Sequence, residues 1–221
     1  MQLVRVEHAS KKYKEWVRIE WNMGRRCNFD CSYCGRDLHD NTSKHFPYEK
    51  FEYTISTLRD FYKNKQIRMS LTGGEPFVHP RILDILALFP KYGVEEVSTI
   101  TNGSLPLKKY QQALEYMNTF NKAGTAEMNC ELFTRDESWL DNVNTLTKNK
   151  WNTFKRWKCM AGIETLMIDN DGSVYRATCK QGGVLGNIET GFTLEDDPVV
   201  CAKQWCNCAA DLNTTKWLEA V

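Results

Sequence analysis

The sequence predicts an α/β fold: a partial, reduced parallel β/α barrel followed by a small C-terminal module that contains a β-hairpin and binds metal. Three observations predict it. Strand-like and amphipathic helical runs alternate three times between Val17 and Met117, an order that gives parallel strands joined by crossover helices. The nine cysteines fall in two groups, at 27–34 and 159–208, around an isolated Cys130. Asp171-Gly172 separates two short apolar runs late in the chain, a strong hairpin signal.

Val17-Arg18-Ile19-Glu20-Trp21-Asn22 alternates apolar and polar residues, as a half-buried strand does. From Pro47 to Lys65, Phe51, Ile55, Leu58, Phe61 and Tyr62 recur at helical spacing, with Pro47 suited to the first turn. Arg68 to Thr72 makes a second strand, ended by Gly73-Gly74-Glu75-Pro76. Pro80 opens a helix carried by Ile82, Leu83, Ile85, Leu86, Leu88 and Phe89 and stopped at Pro90 and Gly93. Val94 to Thr101 is the third strand, ended by Thr101-Asn102-Gly103, and Pro106 starts a helix through Tyr110, Leu114 and Met117. Ligands gather at the carboxyl ends of parallel strands, so the three unusual loops are expected on one rim.

After Asn121 the periodicity weakens. Ala126 to Thr134 is expected as a strand and Trp139 to Leu146 as a helix. At roughly 30 residues per strand–helix unit, the stretch before Cys159 has room for about two more units. Glu164 to Ile168 and Ser173 to Thr178 form the hairpin, followed by Gly182, Gly183 and Gly186 and then Cys201-x4-Cys206-x-Cys208. The expected division is an extension at 1–15, the barrel at 16–150 and the C-terminal module at 151–221.

At 221 residues and 42% hydrophobic content the chain can build a real core. A net charge of +1 gives no bulk electrostatic case for nucleic acid or a membrane surface. The basic cluster Lys11, Lys12, Lys14, Arg25 and Arg26 reads as a solvated face. No apolar run is long enough for a transmembrane helix, and Met1 to Lys14 lacks a signal-peptide core. Nine cysteines without a secretion signal point to metal or redox chemistry in a reducing, cytoplasmic setting. Cys130 reads as a small buried hydrophobe. His39, His45 and His79 read as surface or loop residues, not ligands.

The first cysteine group is Cys27-x3-Cys31-x2-Cys34, directly after the first strand. Three thiolates this close can face one centre but leave a four-ligand site incomplete. Structural zinc takes four protein ligands, and a cubane iron–sulfur cluster normally takes four cysteines. Three from one loop leave one iron open to an exchangeable ligand.

Cys27-x3-Cys31-x2-Cys34, with Tyr33 before the last cysteine, resembles the signature of the radical S-adenosylmethionine (radical SAM) superfamily. Gly73-Gly74-Glu75-Pro76 is similar to that superfamily's methionine-binding motif, and Thr101-Asn102-Gly103 to the next rim segment. The resemblance implies that Cys27, Cys31 and Cys34 ligate a [4Fe–4S] cluster whose open iron is chelated by S-adenosyl-L-methionine. It implies that Glu75 meets the methionine ammonium, with Gly73 and Gly74 allowing close approach of a ligand, and that Tyr33 lies near the adenine and Asn102 near the cofactor. Reductive cleavage would give a 5′-deoxyadenosyl radical that abstracts a substrate hydrogen, with the electron coming from a donor such as flavodoxin or ferredoxin.

The later cysteines resemble the twitch or SPASM extensions of the same superfamily. The resemblance implies one auxiliary [4Fe–4S] cluster held by Cys159, Cys179 and two of Cys201, Cys206 and Cys208. A structural zinc site is the other reading of this group. The substrate implied is a peptide or protein; a dehydrogenase acting on a small sugar-like alcohol is the second reading, and a non-catalytic metal-binding or electron-transfer module the third. Electron carriers close their clusters with four cysteines, which argues against the third. Two departures from the family stand out: the barrel is short by about one unit, and no glycine motif marks the adenine support.

Overall fold

The computed structural model describes residues 2–10, 15–121 and 129–219. Strands and helices alternate first as β1 (Arg5–His8), β2 (Trp16–Asn22), α1 (Tyr48–Phe61), β3 (Gln66–Thr72), α2 (Ile82–Lys91), β4 (Glu96–Thr99) and α3 (Leu107–Asn118). Then come β5 (Asn129–Phe133), β6 (Ser138–Asn142), α4 (Val143–Lys148), β7 (Lys158–Cys159), β8 (Thr165–Ile168) and β9 (Ser173–Tyr175). The chain ends with β10 (Val184–Asn187), β11 (Gly191–Phe192), β12 (Val199–Val200), α5 (Ala209–Leu212) and β13 (Lys216–Trp217).

The first sheet runs β11-β10-β9-β8-β2-β3-β4 and does not close. Its β8, β2, β3 and β4 are mutually parallel, with Arg18 level with Thr165 on one side and Arg68 on the other. Alternation in β2 and β3 divides the sheet faces. Val17, Ile19, Trp21, Ile67, Met69 and Leu71 are buried under α1 to α3, and the rings of Trp21 and Phe51 stack at 5.1 Å. Arg18, Glu20, Asn22, Arg68, Ser70 and Thr72 alternate with them and so belong to the opposite, polar face.

The hairpin strand β8 adds to the other side of β2. It carries Asp169 and Asn170 to the rim, where Asn22 Nδ2 donates to Asp169 Oδ1 at 3.2 Å and Asn170 Nδ2 to the Asp37 carbonyl at 3.1 Å. Gly172, with φ of +81°, makes the hairpin turn that Asp171-Gly172 predicts.

The second sheet runs β12-β7-β13-β1-β5-β6, and all its pairings are antiparallel. Its core gathers Val6, Leu132, Val143, Leu146, Phe154 and Trp157, together with the fully buried Cys130. Further strand–helix barrel units do not follow among the described residues. The strand expected from Ala126 begins in view at Asn129 and pairs with β1 and β6, while residues 126–128 lie outside the described residues, as do Lys11, Lys12 and Lys14. The helix expected from Trp139 starts only at Val143, because Ser138 to Asn142 pairs as β6 and Asn142 then caps the Asn144 N–H at 3.0 Å. α2 also runs through Pro90 to Lys91 before Gly93, at φ +68°, breaks it. No described helix is long and apolar enough to cross a membrane.

Candidate active site

The loop that carries the first cysteines is tied to the next strand's loop before Cys27 is reached. The Met23 N–H donates to the Thr72 carbonyl at 2.8 Å, the Gly74 N–H to Gly24 at 2.9 Å and the Glu75 N–H to Arg26 at 2.9 Å. A Cβ on Gly74 would lie 2.2 Å from the Arg26 oxygen, and one on Gly73 would lie 2.7 Å from that of Gly24. Gly73 also holds a φ of +120°, open to glycine and strained for other residues. The close approach that the two glycines permit here is to the chain's own backbone.

Asp40 closes the far end of the loop. Its N–H donates to the Arg25 carbonyl at 2.9 Å, and its carbonyl accepts from the Cys27 N–H at 2.7 Å. Its carboxylate accepts from the Ser43 hydroxyl and from the Ser43 and Thr42 N–H groups at 2.6, 2.6 and 3.0 Å. These bonds, with those of Ser43 foremost, hold the Asp40 carboxyl down at about 2. His39 spans the loop interior at 3.1 Å from both the Gly35 carbonyl and Asp30 Oδ1. His39 and His79 are both buried loop residues: His39 is held within its own loop by Gly35 and Asp30, and His79 lies 3.1 Å from the Phe46 carbonyl and accepts from the Arg81 N–H at 3.1 Å.

Cys27, Cys31 and Cys34 are half-buried, and the Cys34 N–H donates to the Cys31 carbonyl at 3.0 Å. Tyr33 between them is 90% exposed. The third loop docks on the first: Asn102 Nδ2 donates to Asn28 Oδ1 at 3.0 Å and lies 3.9 Å from Cys27 Sγ. Glu75 joins the second and third loops. Its Oε1 accepts from the Phe77 N–H at 2.9 Å and the Thr101 hydroxyl at 2.8 Å, and its Oε2 from the Asn102 N–H at 2.6 Å. A carboxylate offers about four lone-pair positions, so this buried anion has room for one more donor.

A second cavity lies between the two sheets. Cys159, Cys179, Cys201 and Cys206 line it, together with Thr165, Asp211 and Lys216. Burial pushes the Cys179 thiol up to about 12, the Cys206 thiol up to about 11 and that of Cys159 upward. Each cysteine is held through its backbone. The Cys206 N–H donates to the Asn152 carbonyl at 2.9 Å, and Asn152 Nδ2 returns a bond to the Cys206 carbonyl at 2.9 Å. The Cys201 N–H donates to Trp157 at 2.8 Å and the Cys179 N–H to Asp211 Oδ2 at 2.9 Å. Cys208 is not among the lining residues; its sulfur lies 2.8 Å from the Thr178 hydroxyl.

All nine cysteines are free thiols. Among the described residues, no three His, Cys, Asp or Glu side chains converge on a point where one metal ion would sit. In a four-iron cluster each thiolate meets its own iron, so the ligands surround a volume. A cavity walled by four thiols fits that donor set. Spacing singled out the two cysteine groups and the family resemblance Tyr33, Gly73, Gly74, Glu75 and Asn102, whereas His39, Asp40, Asn152 and Lys216 were given no site role from the sequence. Of these, Asp40 had a readable signal: Asp40-x-x-Ser43 is the pattern of a side-chain-closed turn.

The pattern of the radical SAM superfamily matches residues 21–174. The chain belongs to the radical SAM superfamily. It is therefore an enzyme of a family built on a [4Fe–4S] cluster and S-adenosylmethionine. When bound, these would supply a carbon radical formed by one-electron reductive cleavage of S-adenosylmethionine, while protein residues orient them and shield the reaction.

The chain is 30% identical over 126 residues to a probable GTP 3′,8-cyclase of Archaeoglobus fulgidus, a match covering 55% of this chain and 38% of that protein. It is 30% identical over 114 residues to the antilisterial bacteriocin subtilosin biosynthesis protein AlbA of Bacillus subtilis, covering 52% of this chain and 24% of AlbA. In neither case does the match reach half the length of the relative. Among solved structures, BtrN in complex with AdoMet and 2-DOIA aligns with a TM-score of 0.47 and 16% identity, over 80% of each chain.

Proposed function

We propose that this chain is a peptide-modifying radical SAM enzyme with two iron–sulfur sites. Cys27, Cys31 and Cys34 would hold the cluster that binds S-adenosylmethionine. The remaining acceptor position of Glu75 would take the methionine ammonium, with Gly73, Gly74 and Asn102 framing it and Tyr33 bordering the adenine. Cys159, Cys179, Cys201 and Cys206 would hold an auxiliary [4Fe–4S] cluster in the twitch-like module at 151–221, leaving Cys208 free. A protein such as flavodoxin or ferredoxin would supply the electron.

The observation that carries the peptide reading is the openness of the rim. Phe29, Tyr33, Leu38, Ile100 and Leu107, all on or beside the rim loops, are exposed apolar side chains, and Tyr33 and Ile100 are 90% and 63% exposed. Apolar surface of this kind marks sites that take a partner chain. Among the described residues β4 is the last strand of its sheet, and the Asn121 side chain covers its outer edge by bonding both the N–H and the carbonyl of Val97, so the peptide reading rests on the exposed rim and not on strand addition. The likeness to AlbA, a bacteriocin biosynthesis protein, points the same way.

The test is a turnover experiment with an anaerobically reconstituted sample and a short peptide encoded beside this chain's gene. The reading predicts a changed peptide mass that accompanies release of 5′-deoxyadenosine. Cofactor cleavage with an unaltered peptide would contradict the peptide assignment and leave the radical chemistry standing.

A further inference from the structure

Lys216 is 2% exposed, yet it lines the cavity walled by Cys159, Cys179, Cys201 and Cys206. It lies on β13 directly opposite Cys159 in the register with β7. Its Nζ donates to the Asp211 carbonyl at 2.7 Å and the Leu212 carbonyl at 2.9 Å, and sits 4.9 Å from the centre of the Phe154 ring. Two carbonyl oxygens and a π face all favour an ammonium. Among the described residues Lys216 forms no ion pair, although burying a charge without a counter-charge is costly. The carboxylate of the cavity wall, that of Asp211, makes no ion pair with Lys216: its Oδ2 receives Thr178 and the Cys179 N–H, and its buried Oδ1 has no hydrogen-bond partner.

We infer that Lys216 is the buried counter-cation of the auxiliary cluster and sets its reduction potential upward. This rests on the auxiliary-cluster reading given above. Four thiolates around a four-iron core carry net negative charge, and one-electron reduction by an external donor adds another. A fixed cation at the wall therefore stabilises the loaded site and favours its reduced form. Lys216 here is a positioning and tuning residue: it reaches the chemistry only through the cluster.

The test uses full-length protein in which Cys27, Cys31 and Cys34 are replaced by Ala, so that the auxiliary cluster gives the spectroscopic signal alone. Iron content and an EPR-monitored dithionite titration are compared for that parent and for added Lys216→Met and Lys216→Arg. The expected result is about four irons per chain in the parent. Lys216→Met should disfavour the reduced form at least tenfold, a shift of about 59 mV to lower potential for one electron. Lys216→Arg should stay near the parent value. If Lys216→Met loses the iron, retention of iron and potential by Lys216→Arg still supports the inference, because Arg keeps the positive charge that Met lacks. An unmoved potential in Lys216→Met, or loss of iron in both variants, overturns it. A parent without iron overturns the auxiliary-cluster reading itself.

Discussion

Glu75 accepts a hydrogen bond from the backbone N–H of Asn102 at 2.6 Å, and so joins the loops that follow β3 and β4. The same carboxylate holds Phe77 and Thr101, and Asn102 in turn reaches Asn28 in the cysteine loop. One buried anion thus sets the relative placement of three loops that are distant in sequence.

Removing that anion should loosen all three. Glu75→Ala strips the acceptor from three donors, and a lost bond to a charged group costs about 1.5–3 kcal/mol. The expected outcome is a fall in stability of that order in urea unfolding, together with loss of S-adenosylmethionine binding measured calorimetrically. Binding that survives intact would remove Glu75 from the proposed cofactor site.

Gly74 gives a sharper steric test. In Gly74→Ala the new methyl would meet the Arg26 carbonyl, a backbone atom that cannot swing aside. Overpacking of this kind costs about 1–3 kcal/mol. The urea midpoint should fall, and iron bound at Cys27, Cys31 and Cys34 should fall with it, because Arg26 precedes Cys27 directly.

Asp40 makes the folded loop sensitive to acid. Its carboxyl is depressed to about 2, mainly by Ser43. The folded form therefore gains stability that is fully present above the ordinary carboxylate range near pH 4 and is lost as pH falls through about 2. A carboxyl NMR titration should place Asp40 near 2 in the wild type and higher in Ser43→Ala. An unchanged midpoint in Ser43→Ala would contradict the assigned cause.

Asn152 is 3% exposed and holds Cys206 from both sides of its peptide group. Asn152→Ala should destabilise the fold by about 1–3 kcal/mol and lower the iron content of the second cavity. Cys208→Ala, by contrast, should leave that iron count at the parent value.

Local signals made the first half of the molecule legible. The alternation in β2 and β3, the prolines before α1 and α3, and loops placed straight after strands all act within a few residues of sequence. The second half was less so because its pairings are remote. Nothing in Glu164 to Ile168 announces that β8 will lie parallel to β2, and nothing in Arg5 to His8 announces a central place between β5 and β13. The run Ser138 to Asn142 alternates too weakly to outweigh the helical spacing that overlaps it. The second cysteine group was visible as a group, but separating Cys201 and Cys206 from Cys208 needed the cavity. Lys216 was invisible for the same reason: a lysine between Thr215 and Trp217 reads as surface until the strands on both sides bury it.

The central claim is that the two cysteine groups are two separate cluster sites with different tasks. Iron content and 5′-deoxyadenosine release, measured together on anaerobically reconstituted variants, test it most directly. The wild type should hold about eight irons and cleave S-adenosylmethionine. Replacing Cys27, Cys31 and Cys34 by Ala should abolish cleavage and leave about four irons. Replacing Cys159, Cys179, Cys201 and Cys206 by Ala should also leave about four irons but retain cleavage. Equal loss of iron and cleavage in both sets would contradict the account.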